Sequence, residues 1–314
     1  MAPICPGSHL SPTATGSPND GFAYRVPQIS VVDGNRFVLV CTRFETDGVA
    51  LFNPESEALQ RPELCLFWSD DGGTKWTDKP QIVDVDRPAD RYTWNSAGQL
   101  LQLRPDRWLW PMETWKPKGY EGAPDQRAWA LFSTDQGGSW GELTVVADDP
   151  AGRLLYWDQM NCRLDDCRLY TMLWTHAYGT SNDLENHWVL SQDDGHTWSA
   201  PQPTNLRGQV CCPIPLQDGR VAAIYNDRQD PQGIRVALTE DLSTFDIEHQ
   251  VTVFDAGAEA TLGDPQHENF LAEHMLIAFG KPGGRRLQDG SLLIWFWCTV
   301  GSVTHTRWAR LQVS

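Results

Sequence analysis

The stretch SDDGGTKW at residues 69–76 returns as STDQGGSW at 133–140 and as SQDDGHTW at 191–198. Each copy reads S-x-D-x-G-x-x-W, and the copies stand about sixty residues apart. One such octet is an ordinary turn. Three in one register are an internal repeat, and a repeat decides the architecture ahead of any single element. Glycine permits the tight backbone, aspartate and serine can bond turn amides, and tryptophan supplies a large apolar anchor. A shortened relative lies in RVALTEDLSTFD (235–246), with Phe245 where the others carry tryptophan.

A second repeat runs in step with the first. Apolar-turn-apolar units read ISVVDGNRFVLV (29–40), LLQLRPDRWLWP (100–111), NCRLDDCRLYTML (161–173), PIPLQDGRVAAIY (213–225) and RRLQDGSLLIWFW (285–297). Each centres on Asp-Gly or a near relative between β-branched, leucine and aromatic runs, the signal of a short hairpin. A third strand precedes each octet (ELCLFWS, RAWALFS, NHWVLS), and a fourth follows it (QIVDV, LTVVA and a weaker one near 202–206). No stretch has a helical period. The sequence therefore predicts an all-β chain, a single β-propeller domain over 1–314 built from four-stranded antiparallel blades, with the octet turns on one face. Five blades are counted, or six if 246–275 hides a degenerate one. The fifth unit ends one strand short, at THTRWARLQV, and the N-terminal segment 1–21 is the candidate for a ring-closing strand.

Composition excludes some partners. A net charge of −16 argues against nucleic acid, whose binding leans on Lys and Arg contacts to phosphate, and against a membrane surface. No apolar run approaches the length of a membrane span. The first residues show no basic-then-apolar leader, so a cytoplasmic location is expected. The eight cysteines form no Cys-x-x-Cys pair and read as small apolar residues of a reduced protein, with Cys162–Cys167 the candidate bridge if it is exported. No histidine pair has diagnostic ligand spacing, so neither a metal nor a cofactor is expected.

The octet resembles the Asp box of the sialidase (neuraminidase) superfamily, and YRVP at 24–27 resembles the (F/Y)-R-I-P motif that opens the first sialidase blade. The resemblance covers roughly residues 22–313. It implies an active site on the face opposite the octets, and it implies that Arg25 grips a substrate carboxylate. Arg228, in YNDR, is the candidate second arginine of that grip, with Arg285-Arg286 the candidate third. Glu45 or Asp47, in TRFETDG, stands where sialidases carry an aspartate acid/base. One departure matters: sialidases use a late tyrosine as nucleophile, and here the last tyrosine is Tyr225. Either Tyr178 or Tyr225 has taken that role, or the chemistry differs.

The residues themselves point to the same face. Strand alternation gathers the starts of first strands, such as Trp94-Asn95, Trp157-Asp158-Gln159 and Gly280-Lys281, with the ends of second strands, such as Arg43, Glu113-Thr114-Trp115, His176-Ala177-Tyr178 and Tyr225 to Arg228. Indole faces stack on sugar rings, carboxylates move protons, and guanidinium groups bind carboxylates in bidentate fashion. Glu113 and Asp158 form the candidate acid/base or nucleophile pair. Arg25, Arg43, Arg228, Gln159, Trp115 and Tyr225 are candidate substrate contacts. His176, Tyr178 and Arg228 could instead abstract a proton beside a uronate carboxylate and eliminate. The leading expectation is an exo-acting glycoside hydrolase taking a terminal acidic sugar. The alternatives are a β-eliminating lyase and a non-catalytic carbohydrate-binding propeller.

Overall fold

The computed structural model describes residues 21–46, 52–53, 58–85, 91–180, 183–228, 231–257, 278–300 and 303–313. Strands β1 (Phe22–Asp33) and β2 (Arg36–Glu45) open the first blade. After a two-stranded excursion, β3 (Phe52–Asn53) with β4 (Ala58–Leu59), it is completed by β5 (Glu63–Ser69) and β6 (Gln81–Val83). In the second blade β7 (Thr93–Ser96) and β8 (Leu101–Gln102) share one edge of β9 (Trp108–Trp115), followed by β10 (Ala128–Ser133) and β11 (Glu142–Ala147). The third runs β12 (Leu154–Arg163), β13 (Leu169–Ala177), β14 (His187–Ser191), β15 (Gln202–Pro203). The fourth runs β16 (Cys211–Pro215), β17 (Val221–Asp227), β18 (Gly233–Thr239), β19 (Val251–Asp255). The fifth has three strands among the described residues, β20 (Phe279–Arg286), β21 (Leu292–Val300) and β22 (Val303–Leu311).

This is a five-bladed β-propeller with the first strand of each blade innermost. No α-helix occurs among the described residues, and no helix is long and apolar enough to cross a membrane. The N-terminal segment expected to close the ring, and most of the stretch weighed as a sixth blade, lie outside the described residues; β19 belongs to blade 4.

Each pair of consecutive blades from first to fifth encloses a hydrophobic core. Val38, Leu66, Trp108 and Trp110 fill the first gap, and Leu109, Phe132, Tyr156 and Leu169 the second. Tyr170, Met172, Ala223 and Phe245 fill the third, and Ile224, Phe279, Ile294 and Phe296 the fourth. Central strands packed on both faces lose the apolar-polar alternation of a half-exposed sheet, and β9, WLWPMETW, is buried along nearly its whole length. The seven described cysteines are free. The Cys162–Cys167 bridge is not formed: Cys162 faces the core between blades 3 and 4, whereas Cys167 is exposed in the hairpin turn at φ 71°.

The repeated octets join third strand to fourth and have one hydrogen-bond plan. Ser133 Oγ accepts the Gly137 amide at 2.8 Å and donates to Asp135 Oδ1 at 2.8 Å, and Asp135 Oδ1 also accepts the Ser139 amide at 2.8 Å. Ser69–Asp71 and Ser191–Asp193 repeat this arrangement, and Thr239–Asp241 reproduces its core in blade 4 with Phe245 buried as the anchor. Three of the turns also receive the preceding blade. Gln81 Nε2 donates to the Gly137 carbonyl at 3.0 Å, Thr144 Oγ1 to the Gly195 carbonyl at 2.8 Å, and Asn205 Nδ2 to the Phe245 carbonyl at 2.8 Å. The octet is thus both a turn and the stitch between blades.

Its glycine is required twice over. Gly137 has φ +86°, and a Cβ there would lie 2.8 Å from the Trp68 ring of blade 1. Gly137→Ala should lower unfolding free energy by about 2–4 kcal/mol, combining left-handed strain with overpacking. Gly141→Ala, with open space around its Cβ position, should stay within about 0.5 kcal/mol. Urea unfolding of the two variants checks this, and equal effects would contradict the stitch.

Candidate active site

Three innermost strands break register at one level. In β1 Val26-Pro27 lies between the paired positions Arg25 and Gln28, in β12 Asp158-Gln159 lies between Trp157 and Met160, and in β20 Lys281-Pro282 lies between Gly280 and Gly283. Two residues oppose one on the partner strand, which is a β-bulge, and a bulge re-aims a side chain. The bulged residues Val26, Asp158 and Lys281 all have positive φ (54°, 45° and 39°) without being glycine. Such conformations persist only where the surroundings over-determine them, and they gather at functional sites.

Around the bulge in blade 3 the surroundings are polar. Glu113, near the end of β9, is 2% exposed. Its Oε1 accepts Asn95 Nδ2 at 2.7 Å and Trp115 Nε1 at 2.7 Å, and its Oε2 accepts the Asp158 amide at 2.7 Å. Burial, then the negative charge of Asp158, pushes the Glu113 carboxyl up to about 7 against the opposing pull of Lys281, Trp115 and Asn95. Asp158 itself points to the ring interior, where its Oδ1 accepts Lys281 Nζ at 2.8 Å; the two side chains are 24% and 17% exposed. That ion pair joins blade 3 to blade 5 past blade 4.

Blade 4 supplies Arg228. Its Nε donates to Gln209 Oε1 at 2.9 Å, and its guanidinium lies over the Phe279 ring at 4.3 Å. Nη1 is buried with no hydrogen-bond partner among the described residues. Burial brings the guanidinium down to about 9, opposed by the charges of Asp158 and Asp183. Gly280 makes the room, because a Cβ there would sit 2.9 Å from Nη2. An aromatic wall backs the site. Trp115 stacks on Trp157 with ring centres 5.0 Å apart and planes at 11°, and Trp157 in turn meets Trp174 and His176.

The sequence-predicted candidates divide between this site and other duties. Glu113, Asp158, Trp115 and Arg228 converge. Gln159 braces blades, its Nε2 donating to the carbonyls of Met112 (2.5 Å) and Trp129 (2.7 Å). His176 has Nδ1 3.1 Å from Asp183 Oδ1 and Nε2 3.1 Å from the Thr180 carbonyl. Arg43 pairs with Glu63 at 2.6 Å and covers the Phe22 ring. Tyr225 is buried and donates to Gln250. Arg25, Glu45 and Tyr178 are exposed, and Asp47 lies outside the described residues. The sequence alone assigns no role to Lys281, Asn95 or Asp183. For Lys281 a signal existed: Gly280-Lys281-Pro282 follows Phe279 as Arg25-Val26-Pro27 follows Tyr24. Among the described residues no cluster of three or more His, Cys, Asp or Glu could hold a metal ion.

No protein-family model and no curated protein matches the sequence. Solved structures match in fold. A Hadza microbial sialidase aligns with TM-score 0.60 and 15% identity over 88% of this chain, which spans 53% of the sialidase's length. A family 117 glycoside hydrolase from Zobellia galactanivorans aligns with TM-score 0.57 and 12% identity, covering 93% of this chain and 85% of that one. A GH43 β-1,3-galactosidase aligns with TM-score 0.56 and 10% identity, covering 92% and 90%. At these identities the likeness is one of fold.

The buried carboxyl has a measurable consequence. Since Glu113 binds its proton more tightly folded (about 7) than at its ordinary 4.5, its contribution is complete below about pH 4.5 and is lost as pH rises through 7. The loss is on the order of 3 kcal/mol. Glu113→Gln should flatten the stability curve across that window in urea unfolding at a series of pH values. Parallel curves for the two proteins would contradict the assignment.

Proposed function

We propose that this chain is a glycoside hydrolase acting at the inner mouth of the propeller, on a terminal sugar that carries an acidic group. One observation carries the reading: two carboxyl groups of unlike environment, Glu113 sealed and Asp158 with its side chain 24% exposed, are joined through the Asp158 amide. Environments that set two carboxyl groups apart are how one site provides both an acid and a base. Glu113 would give a proton to the leaving oxygen. Its Oε2 meets a single donor among the described residues, which leaves a position for that proton. Asp158 would activate water or attack the anomeric carbon. Half-buried Arg228, whose buried Nη1 has no hydrogen-bond partner among the described residues, is suited to an anionic substituent. An indole such as that of half-buried Trp115 is a suitable platform for a sugar ring.

The glycoside hydrolases among the fold neighbours, sialidase included, support the general reading. A tyrosine nucleophile finds little support, since Tyr225 is bonded to Gln250 and Tyr178 is exposed beyond β13. The eliminating alternative finds little either. Both ring nitrogens of His176 face acceptors already, Asp183 and the Thr180 carbonyl.

A panel of sialosides, uronic-acid glycosides and neutral glycosides tests the proposal. Glu113→Gln and Asp158→Asn should each lower kcat by roughly 10²–10⁴-fold. Arg228→Met should raise KM for acidic glycosides roughly tenfold or more and leave neutral ones nearly unchanged. Absence of turnover on the whole panel would overturn the hydrolase and favour a binding propeller.

A further inference from the structure

The ion pair between Asp158 and Lys281 joins residues 123 positions apart, on blades that are not neighbours in the ring. Its two ends are built alike. Each stands at a two-against-one bulge of an innermost strand, each has positive φ, and each lies one residue beyond a paired position, Trp157 or Gly280. In blade 5 the bulge is completed by Pro282, which has no N–H to give to the ladder. The third bulge of this kind presents the apolar Val26, so the bulge itself does not demand a charge. An aspartate and a lysine at two of the three positions, in contact and mostly buried, therefore need a separate reason. A buried ion pair is weak evidence for stability, because apolar replacement is often neutral or better.

We propose that Lys281 is a positioning residue for the carboxyl pair: its ammonium aims Asp158 at the mouth and offsets the Asp158 charge felt by Glu113, so that the buried acid can release its proton. This deepens the reading of Glu113 and Asp158 as the working pair and rests on it. The connected path is Lys281 Nζ to Asp158 Oδ1, then Asp158 amide to Glu113 Oε2, spanning blades 5, 3 and 2. Among the described residues, the other charged or titratable groups near it are Arg228, just past β17 and engaged by Gln209, and Asp183 with His176 from blade 3, bonded to each other. Of the two cations, Lys281 is the one that makes the bond to Asp158. The electrostatics agree in direction, since Asp158 raises the proton affinity of Glu113 and Lys281 lowers it. An acid works best when its affinity lies near the working pH. Without the ammonium, Glu113 would hold its proton too firmly and Asp158 would lose its anchor.

The test is the titration of Glu113, followed by ¹³C NMR of protein labelled at glutamate side-chain carboxyls, with Glu113→Gln identifying the resonance. It needs no substrate, so it stands or falls apart from the hydrolase assignment. In Lys281→Met the Glu113 midpoint should move upward from its wild-type position. In Lys281→Arg, which keeps the charge, it should stay close to wild type. Asp158→Asn removes the same ion pair from the other end and should move the midpoint downward, so the proposal remains testable if Lys281→Met folds poorly. On a substrate found by the glycoside panel, Lys281→Met should lower kcat roughly 10²-fold by misplacement of Asp158, with KM within about twofold. The limb of the pH profile that reports Glu113 should shift to higher pH, and Lys281→Arg should recover most of the rate. An unmoved Glu113 midpoint in either Lys281→Met or Asp158→Asn overturns the proposal, as does a Lys281→Met enzyme with wild-type kcat and pH profile.

Discussion

A carboxyl group taken out of water must find donors or keep its proton, and Glu113 does some of each. Two donors come from its own blade, Asn95 and Trp115. The third, the amide of Asp158, reaches Glu113 because β12 bulges at that residue and the amide leaves the ladder. An unpaired buried amide is costly, so the bulge needs the carboxyl as much as the carboxyl needs the amide. The same bulge turns the Asp158 side chain toward the ring interior, where Lys281 meets it from a matching bulge in blade 5. One backbone hydrogen bond thereby couples the sealed acid, the open carboxylate and the cation.

Holding five sheets so that a bond between blades 2 and 3 and another between blades 3 and 5 both close requires fixed blade spacing. The octet turns provide it on the opposite face. The serine-aspartate pair fixes each turn from within, and a polar side chain of the preceding blade binds the turn carbonyl from outside. Aromatic packing sets the distance: Gly137 meets Trp68, and Gly195 meets Phe132, at separations no side chain would allow. The repeat that organises the sequence thus acts at a distance on the site, without contributing a residue to it.

Most of the fold was legible because it is written in local patterns. Asp-Gly hairpins, third strands and octets recur, and each names a turn by its chemistry. The site was legible only in part. Glu113, Asp158, Trp115 and Arg228 could be placed at one rim by counting strands. Counting strands cannot say which rim side chains turn inward, since that depends on bulges, and a bulge shifts the pleat by one residue. Gln159, inside the bulge, therefore looked like a site residue yet braces backbone carbonyls, and Arg43, on unbulged β2, is taken up by its cross-strand partner Glu63. Lys281 went without a role because its partner is 123 residues away, a relation no local pattern encodes. His176 looked like a free base until Asp183 came within reach of it.

The most direct test of the account is to run the reaction in water enriched in heavy oxygen and weigh the released sugar. If the mouth of the propeller hydrolyses glycosides through Glu113 and Asp158, the sugar carries one heavy oxygen at its anomeric carbon, and both Glu113→Gln and Asp158→Asn suppress its formation. A product with an unsaturated ring and no heavy oxygen would contradict the account and transfer the chemistry to elimination. Labelled product formed at the wild-type rate by both variants would contradict it equally, by placing hydrolysis elsewhere on the molecule.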